Sequence, residues 1–268
     1  MKDKLIRLIF WSGASLVILI LLLILLFIVI NGIKNISLEF LLTKPIKMGK
    51  EGGILTPMIG TFLTVILAIS FATPIGLATA LYLKEYAKET NLTKVLRQAT
   101  EVLAGIPSVI YGLFGFYFFV IKLKLGFSVL SGGLTLALMI LPTIIRTSEE
   151  AIASVPITYK ESSLSLGATK LQTIRNIVLP IASSGILTGI ILSIGRAAGE
   201  TAAIMLTSGA SVHMPTSLLS PIRTMSLHLY ILATEGISYD NAYATALCLI
   251  IIILVVNILI NLIIKFKP

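Results

Sequence analysis

Long apolar runs alternate along this chain with short charged segments. The first run, Leu8 to Ile30, carries no charge and exceeds the roughly 20 residues that carry a helix across a bilayer core. Five more follow: Ile54–Leu83, Val102–Ile121, Leu125–Ile145, Pro180–Leu206 and Ala242–Ile264. Six such runs predict an all-α membrane protein with six transmembrane helices. Lys2, Lys4 and Arg7 precede the first run as they would in a secretory signal, but the apolar part of a signal spans only about 7–15 residues. Ile30-Asn31-Gly32-Ile33 offers no small-residue cleavage site, so an uncleaved anchor is expected. The division that follows is 1–53, anchor and outer loop, and 54–268, the main transmembrane domain.

Within the runs, small and hydroxyl residues predict helix packing. Gly60, Ala68, Ala72, Gly76 and Ala80 permit close approach, and Thr61, Thr64, Thr73 and Thr79 can hydrogen-bond along or between helices. Pro57, Pro74, Pro107 and Pro142 predict bends. Between the runs, Asn31–Gly53 reads as a loop with solvated lysines, and Lys84–Glu101 as an amphipathic connector with a cap near Asn91. Thr207–Asn241 reads as an outward loop with a short interfacial helix around Ile222–Leu232, in which His213 and His228 are ordinary polar residues.

The most ordered polar segment is Thr158–Pro180, TYKESSLSLGATKLQTIRNIVLP. Thr158 stands three residues before Glu161, and Thr169 three before Gln172, the spacing of reciprocal caps at two helix starts. Gly167 can take the left-handed conformation that closes the first helix. Pro180 suits the opening turn of the next helix, since it lacks an amide donor.

Composition narrows the function classes. Hydrophobic residues make up 56% and charged residues 12%, roughly half the charge of a soluble domain. The net charge of +9 is scattered over membrane flanks, which argues against nucleic acid as a partner. Counting the N-terminal tail, the second loop, the loop from Arg146 to Pro180 and the C-terminal tail together gives 13 of the 21 basic residues, so the positive-inside rule puts these and both termini in the cytoplasm. The single Cys248 permits no internal disulfide and is expected to pack. GxxxxGK[ST] and HExxH do not occur, so the chain carries neither a Walker phosphate loop nor that zinc-protease motif.

Arg196 and Glu200 interrupt the fifth run. An arginine at mid-membrane costs roughly 2.5–3.5 kcal/mol and usually faces a partner or a wet path. Sixteen residues from Pro180, it lies about 24 Å along a helix, in the outer half of the bilayer. Spacing alone leaves two readings open, an i,i+4 ion pair with Glu200 and a transport pathway. The arginine fork suits phosphate oxygens, and a carboxylate can accept the proton that phosphate keeps near neutral pH and sulfate lacks.

The spacing Glu161-Ser162-Ser163, Gly167 and Ile177-Val178-Leu179-Pro180 resembles the EAA loop of ABC importer permeases, with serines where that family usually has two alanines. With GIPSVIYGLFGFYFF, Gly105–Phe119, and GRAAGETAAIM, Gly195–Met205, the chain is similar to PstA-type permeases of phosphate importers. The resemblance implies a MetI-like five-helix core plus an added N-terminal helix. It implies ATPase coupling through segment 158–180, carried by Glu161, Ser162, Ser163, Gly167 and Ala168, and a phosphate path at Arg196 and Glu200. It also implies partners: two PstB-type ATPase subunits that hold ATP and magnesium, a PstC-type permease and an extracytoplasmic PstS-type binding protein. No cofactor is expected on this chain, and it is not expected to be an enzyme. The alternatives are a permease for sulfate or molybdate and, further off, an ATP-independent channel or scaffold.

Overall fold

A computed structural model describes residues 2–88 and 90–265; Lys267, counted above in the C-terminal tail, lies outside them. Helix α1 spans Lys2–Gly32. A short helix α2, Leu38–Leu42, and a two-stranded hairpin, β1 (Pro45–Ile46) with β2 (Glu51–Gly52), follow on the connecting loop. The membrane core is built from α3 (Leu55–Leu81), α6 (Val129–Ala153), α9 (Leu179–Gly199) and α12 (Tyr239–Lys265). With α1, these belong to five helices long and apolar enough to cross a bilayer.

The third apolar run departs from the single span expected. It divides into α4 (Asn91–Gly105) and α5 (Ser108–Gly115), and the two halves Asn91–Gly105 and Ser108–Lys122 meet at 100°. Pro107 disfavours the helical conformation for Ile106, which is extended at ψ 132°. The Thr90–Thr93 capping box starts α4 one residue before the expected position, and an Arg97–Glu149 ion pair of 3.0 Å ties it to α6. One side of α4 leaves Leu92, Val95 and Val102 exposed, the pattern of a helix lying in the membrane interface.

Helices α3 and α6 form the largest packed pair, and the small residues explain how they close. A Cβ on Gly76 would stand 2.8 Å from Ile144 Cγ2, so only glycine admits the isoleucine there. Ala68, Ala72, Leu136, Ile140 and Ile144 form one buried cluster with Ala197 and Ala198 of α9. Thr64 and Thr79 donate back to carbonyls one turn earlier, while Thr61 Oγ1 also accepts the Met225 amide at 2.9 Å, an interhelical bond of the kind expected. Cys248 is buried among apolar neighbours. Helix α1 reaches the core at its C-terminal end, where Phe27 meets Tyr243 edge-on at 5.5 Å and Gly32 lies against the Tyr243 carbonyl.

The coupling segment forms α7 (Ile157–Ser165) and α8 (Lys170–Thr173). Thr158 does not cap α7. The helix opens one residue earlier behind Pro156, which puts Thr158 inside it. The second cap forms as read: Thr169 Oγ1 accepts the Gln172 amide at 3.3 Å and Gln172 Oε1 accepts the Thr169 amide at 2.7 Å. Gly167 sits at φ +85°, the left-handed region that glycine occupies without strain.

Pro180 stands in the opening turn of α9, as expected, but no break in the chain's helix precedes it. Lys170–Gly199 is one helix of 30 residues, and a π turn at Ile174–Val178 immediately precedes the proline. Widening the turn moves the hydrogen-bond register, so the helix accommodates the missing amide without breaking.

Candidate functional site

Arg196 and Glu200, the residues expected on a transport path, lie where α9 ends. Arg196 is exposed on the surface of the chain, in the last turn of α9, where the uncompensated carbonyls of a helix C-terminus favour a cation. Among the described residues no carboxylate lies within ion-pairing distance of it, so the i,i+4 pair with Glu200 does not form.

Glu200 has different work. The fifth run is not one helix to Leu206. At Glu200 the backbone turns extended, ψ 131°, and a short helix α10, Ala202–Thr207, follows. Glu200 Oε1 accepts the Ala203 amide at 3.2 Å, which caps α10, and Ser226 Oγ donates to the Glu200 carbonyl at 2.7 Å. The carboxylate therefore faces forward along the chain, away from the preceding turn. Irregular backbone at membrane depth is tolerated where protein or a water-filled cavity satisfies it, and here Ser226 and the Glu200 cap do so.

Two of the sequence stretches singled out above pack on each other at this break. A Cβ on Gly112 would lie 2.9 Å from Ala203 Cα and 3.0 Å from Leu206 Cδ1, so α10 rests directly on the backbone of α5. Tyr111 Oη donates to the Leu103 carbonyl at 2.7 Å, bracing the α4–α5 corner. Arg196 is thus held beside a broken helix and a bent one.

The residues expected to couple to an ATPase are gathered at the other end of the same rod. Lys170 and Arg196 lie on one continuous helix, ~39 Å apart at helical rise. Glu161, Ser162 and Gly167 are exposed, and Ser163 and Ala168 are half-buried. Ser163 Oγ and Thr173 Oγ1 are 2.9 Å apart, so the serine that stands in place of an alanine fastens α7 to α8. Around Gly167 the segment presents apolar side chains outward, with Leu166 89% exposed and Ile157 and Leu171 both 67% exposed. These apolar knobs stand out from an otherwise polar loop.

Sequence reasoning missed a second buried polar group. His228 was expected on a loop surface but is 1% exposed in α11, Met225–Thr234, and Arg223 is equally enclosed. The segment turns inward because α2 and the β1–β2 hairpin cover it. Arg223 donates to the Ala210 carbonyl at 3.1 Å and the Met48 carbonyl at 3.3 Å, and its Nη1 is 3.3 Å from His228 Nδ1. Burial, and then the Arg223 charge, pushes the His228 pKa down to about 3, so the ring stays neutral and Nδ1 can accept from the guanidinium. Asn241 Nδ2 donates to the Gly49 and Lys50 carbonyls and completes the clasp on the hairpin. His213 is exposed, as expected, and so are Lys34, Lys44, Lys47 and Lys50.

Residues 72–266 match the family model for the binding-protein-dependent transport system inner membrane component. The chain belongs to that family. It is 31% identical to the probable ABC transporter permease YqgI of Bacillus subtilis (strain 168), over 96% of this chain and 92% of that protein. It is 33% identical to the phosphate transport system permease PstA of Pasteurella multocida (strain Pm70), over 86% of this chain and 83% of that one. Its fold superposes on the membrane chain of an inward-facing MetNI methionine ABC transporter with a TM-score of 0.65, at 17% identity, covering 79% of this chain and 96% of that one. The MetI-like fold expected from the sequence is thereby established. The chain is a transport subunit of the inner membrane with no enzymatic activity of its own, and it works with an ATPase and a substrate-binding protein.

Proposed function

We propose that this chain forms one half of the membrane pore of an ATP-driven phosphate importer, with Arg196 as the anion contact on its pathway. The observation that carries this reading is the state of Arg196: an exposed cation at the end of a membrane-crossing helix, without a carboxylate partner among the described residues. Lipid is a costly neighbour for such a group, so the face that bears it belongs to a water-filled path. The similarity to PstA permeases supports phosphate as the anion.

Glu200 supplies discrimination. One carboxylate oxygen is occupied by the Ala203 amide, and the other can accept a hydrogen bond. A partly protonated phosphate offers that donor and sulfate does not. The other half of the pore is a PstC-type permease, and a PstS-type protein delivers the anion from outside. Two PstB-type ATPases hold ATP and magnesium and dock on segment 158–180, chiefly at Glu161, Ser162, Gly167 and the exposed Leu166. Both termini lie in the cytoplasm with that segment, and the permease domain begins at residue 54, after the anchor and its outer loop. ATP-driven closure then moves the Lys170–Gly199 rod and changes the access of Arg196.

Uptake of phosphate into vesicles, with sulfate as competitor, tests this reading. Wild type is expected to take up phosphate against excess sulfate, and Glu200→Gln to lose part of that preference. An unchanged preference in the variant would remove discrimination from Glu200.

A further inference from the structure

Helix α7 carries no buried residue, so packing alone does not hold it to the core. Two side-chain contacts hold it among the described residues. One is the Ser163–Thr173 link to α8, which stays within the coupling segment. The other crosses to a membrane helix: Lys160 Nζ donates to Glu85 Oε1, 75 residues away. Glu85 lies in the π turn Tyr82–Tyr86 that continues the cytoplasmic end of α3. The side chains of Lys160 and Glu85 are only 20% and 10% exposed, so solvent screens this pair far less than a surface one. The second arm reaches the same turn, with Lys170 Nζ 4.7 Å from the centre of the Tyr86 ring. Both arms of the coupling segment therefore grip consecutive residues of one turn.

We propose that Lys160–Glu85, seconded by Lys170–Tyr86, is a strut that transmits displacement of the coupling segment to α3, in parallel with the continuous α8–α9 helix. It rests on the reading of segment 158–180 as the ATPase docking site. Without the strut, α7 can move with the ATPase while α3 stays behind. Because α3 and α6 form the largest packed pair, α3 is the element through which movement spreads to the core. A π turn suits the anchor, since its looser register tolerates small rearrangement where force enters.

The test uses the whole transporter in proteoliposomes, with Glu85→Gln, Glu85→Lys and the exchange Glu85→Lys/Lys160→Glu. Three quantities are read: co-purified ATPase, ATP hydrolysis with and without the loaded binding protein, and phosphate moved per ATP. The single variants are expected to retain the ATPase and its basal hydrolysis, and to move about five-fold less phosphate per ATP or worse. The exchange is expected to recover most of that ratio. Assembled single variants with the wild-type ratio would overturn the strut. Loss of ATPase from both single variants would overturn it too, since the pair would then only hold the fold. Failure of the docking reading is seen separately, as ATPase retention unaffected by Gly167→Pro.

Discussion

Replacing Glu200 separates the cap it provides to α10 from the anion discrimination proposed for the same carboxylate. Glu200→Ala removes the acceptor of the Ala203 amide and leaves the start of α10 uncapped. Loss of an N-terminal cap costs about 1 kcal/mol, with a range of roughly 0.5–2. The charge of the acceptor and its half-buried position favour the upper part of that range, while the surviving Ser226 bond to the Glu200 carbonyl limits the damage to the cap itself. Glu200→Gln can keep an oxygen at the same place, while it loses the charge and turns the second acceptor into an NH2 donor. Thermal unfolding of the purified complex, without phosphate, should therefore show a lower midpoint for alanine and a midpoint near wild type for glutamine. Phosphate preference over sulfate should weaken in both. Equal destabilisation by the two replacements would refute the cap, and so would no destabilisation by either.

Two further perturbations follow from the packing. Gly112→Ala places a methyl group 2.9 Å from Ala203 Cα, where backbone must move, and should destabilise by roughly 1–3 kcal/mol with loss of transport; a variant as stable and active as wild type would contradict the α5–α10 contact. The clasp of Arg223 and His228 on the hairpin should be pH-sensitive. The His228 pKa is about 3 in the folded chain and near 6.5 in the unfolded one, so the unfolded chain takes up a proton first as pH falls. The contribution of neutral His228 is full above pH ~6.5 and shrinks below it, by roughly 1 kcal/mol at pH 5.5. Thermal stability measured from pH 7 to 5.5 should fall less in His228→Asn than in wild type, and parallel slopes would refute the assignment.

Local chemistry was legible in the sequence, and geometry set by distant contacts was not. Gly167 and the Thr169–Gln172 box depend on neighbours within a few residues, and both are as read. Thr158 had the same spacing, but the cap position falls at Pro156, and two residues of displacement move a cap into a helix interior. Pro107 signalled a bend, but the 100° angle depends on the amphipathic α4 and its Arg97–Glu149 tie to α6. The break at Glu200 left no signal, because Gly-Arg-Ala-Ala-Gly-Glu-Thr-Ala-Ala contains no proline and the Ser226 hydroxyl that stabilises it lies 26 residues on. Likewise the partners of Arg223 include a carbonyl 175 residues away, which no local spacing reveals.

The central claim is that Arg196 contacts the transported anion. It is tested most directly by ATP-dependent phosphate uptake into vesicles containing the complete transporter, wild type against Arg196→Ala, with co-purified ATPase as the control for assembly. The account predicts an assembled variant whose uptake falls by an order of magnitude or more, in line with loss of a charge-assisted contact of roughly 1.5–3 kcal/mol. An assembled Arg196→Ala complex that carries phosphate at the wild-type rate would contradict it.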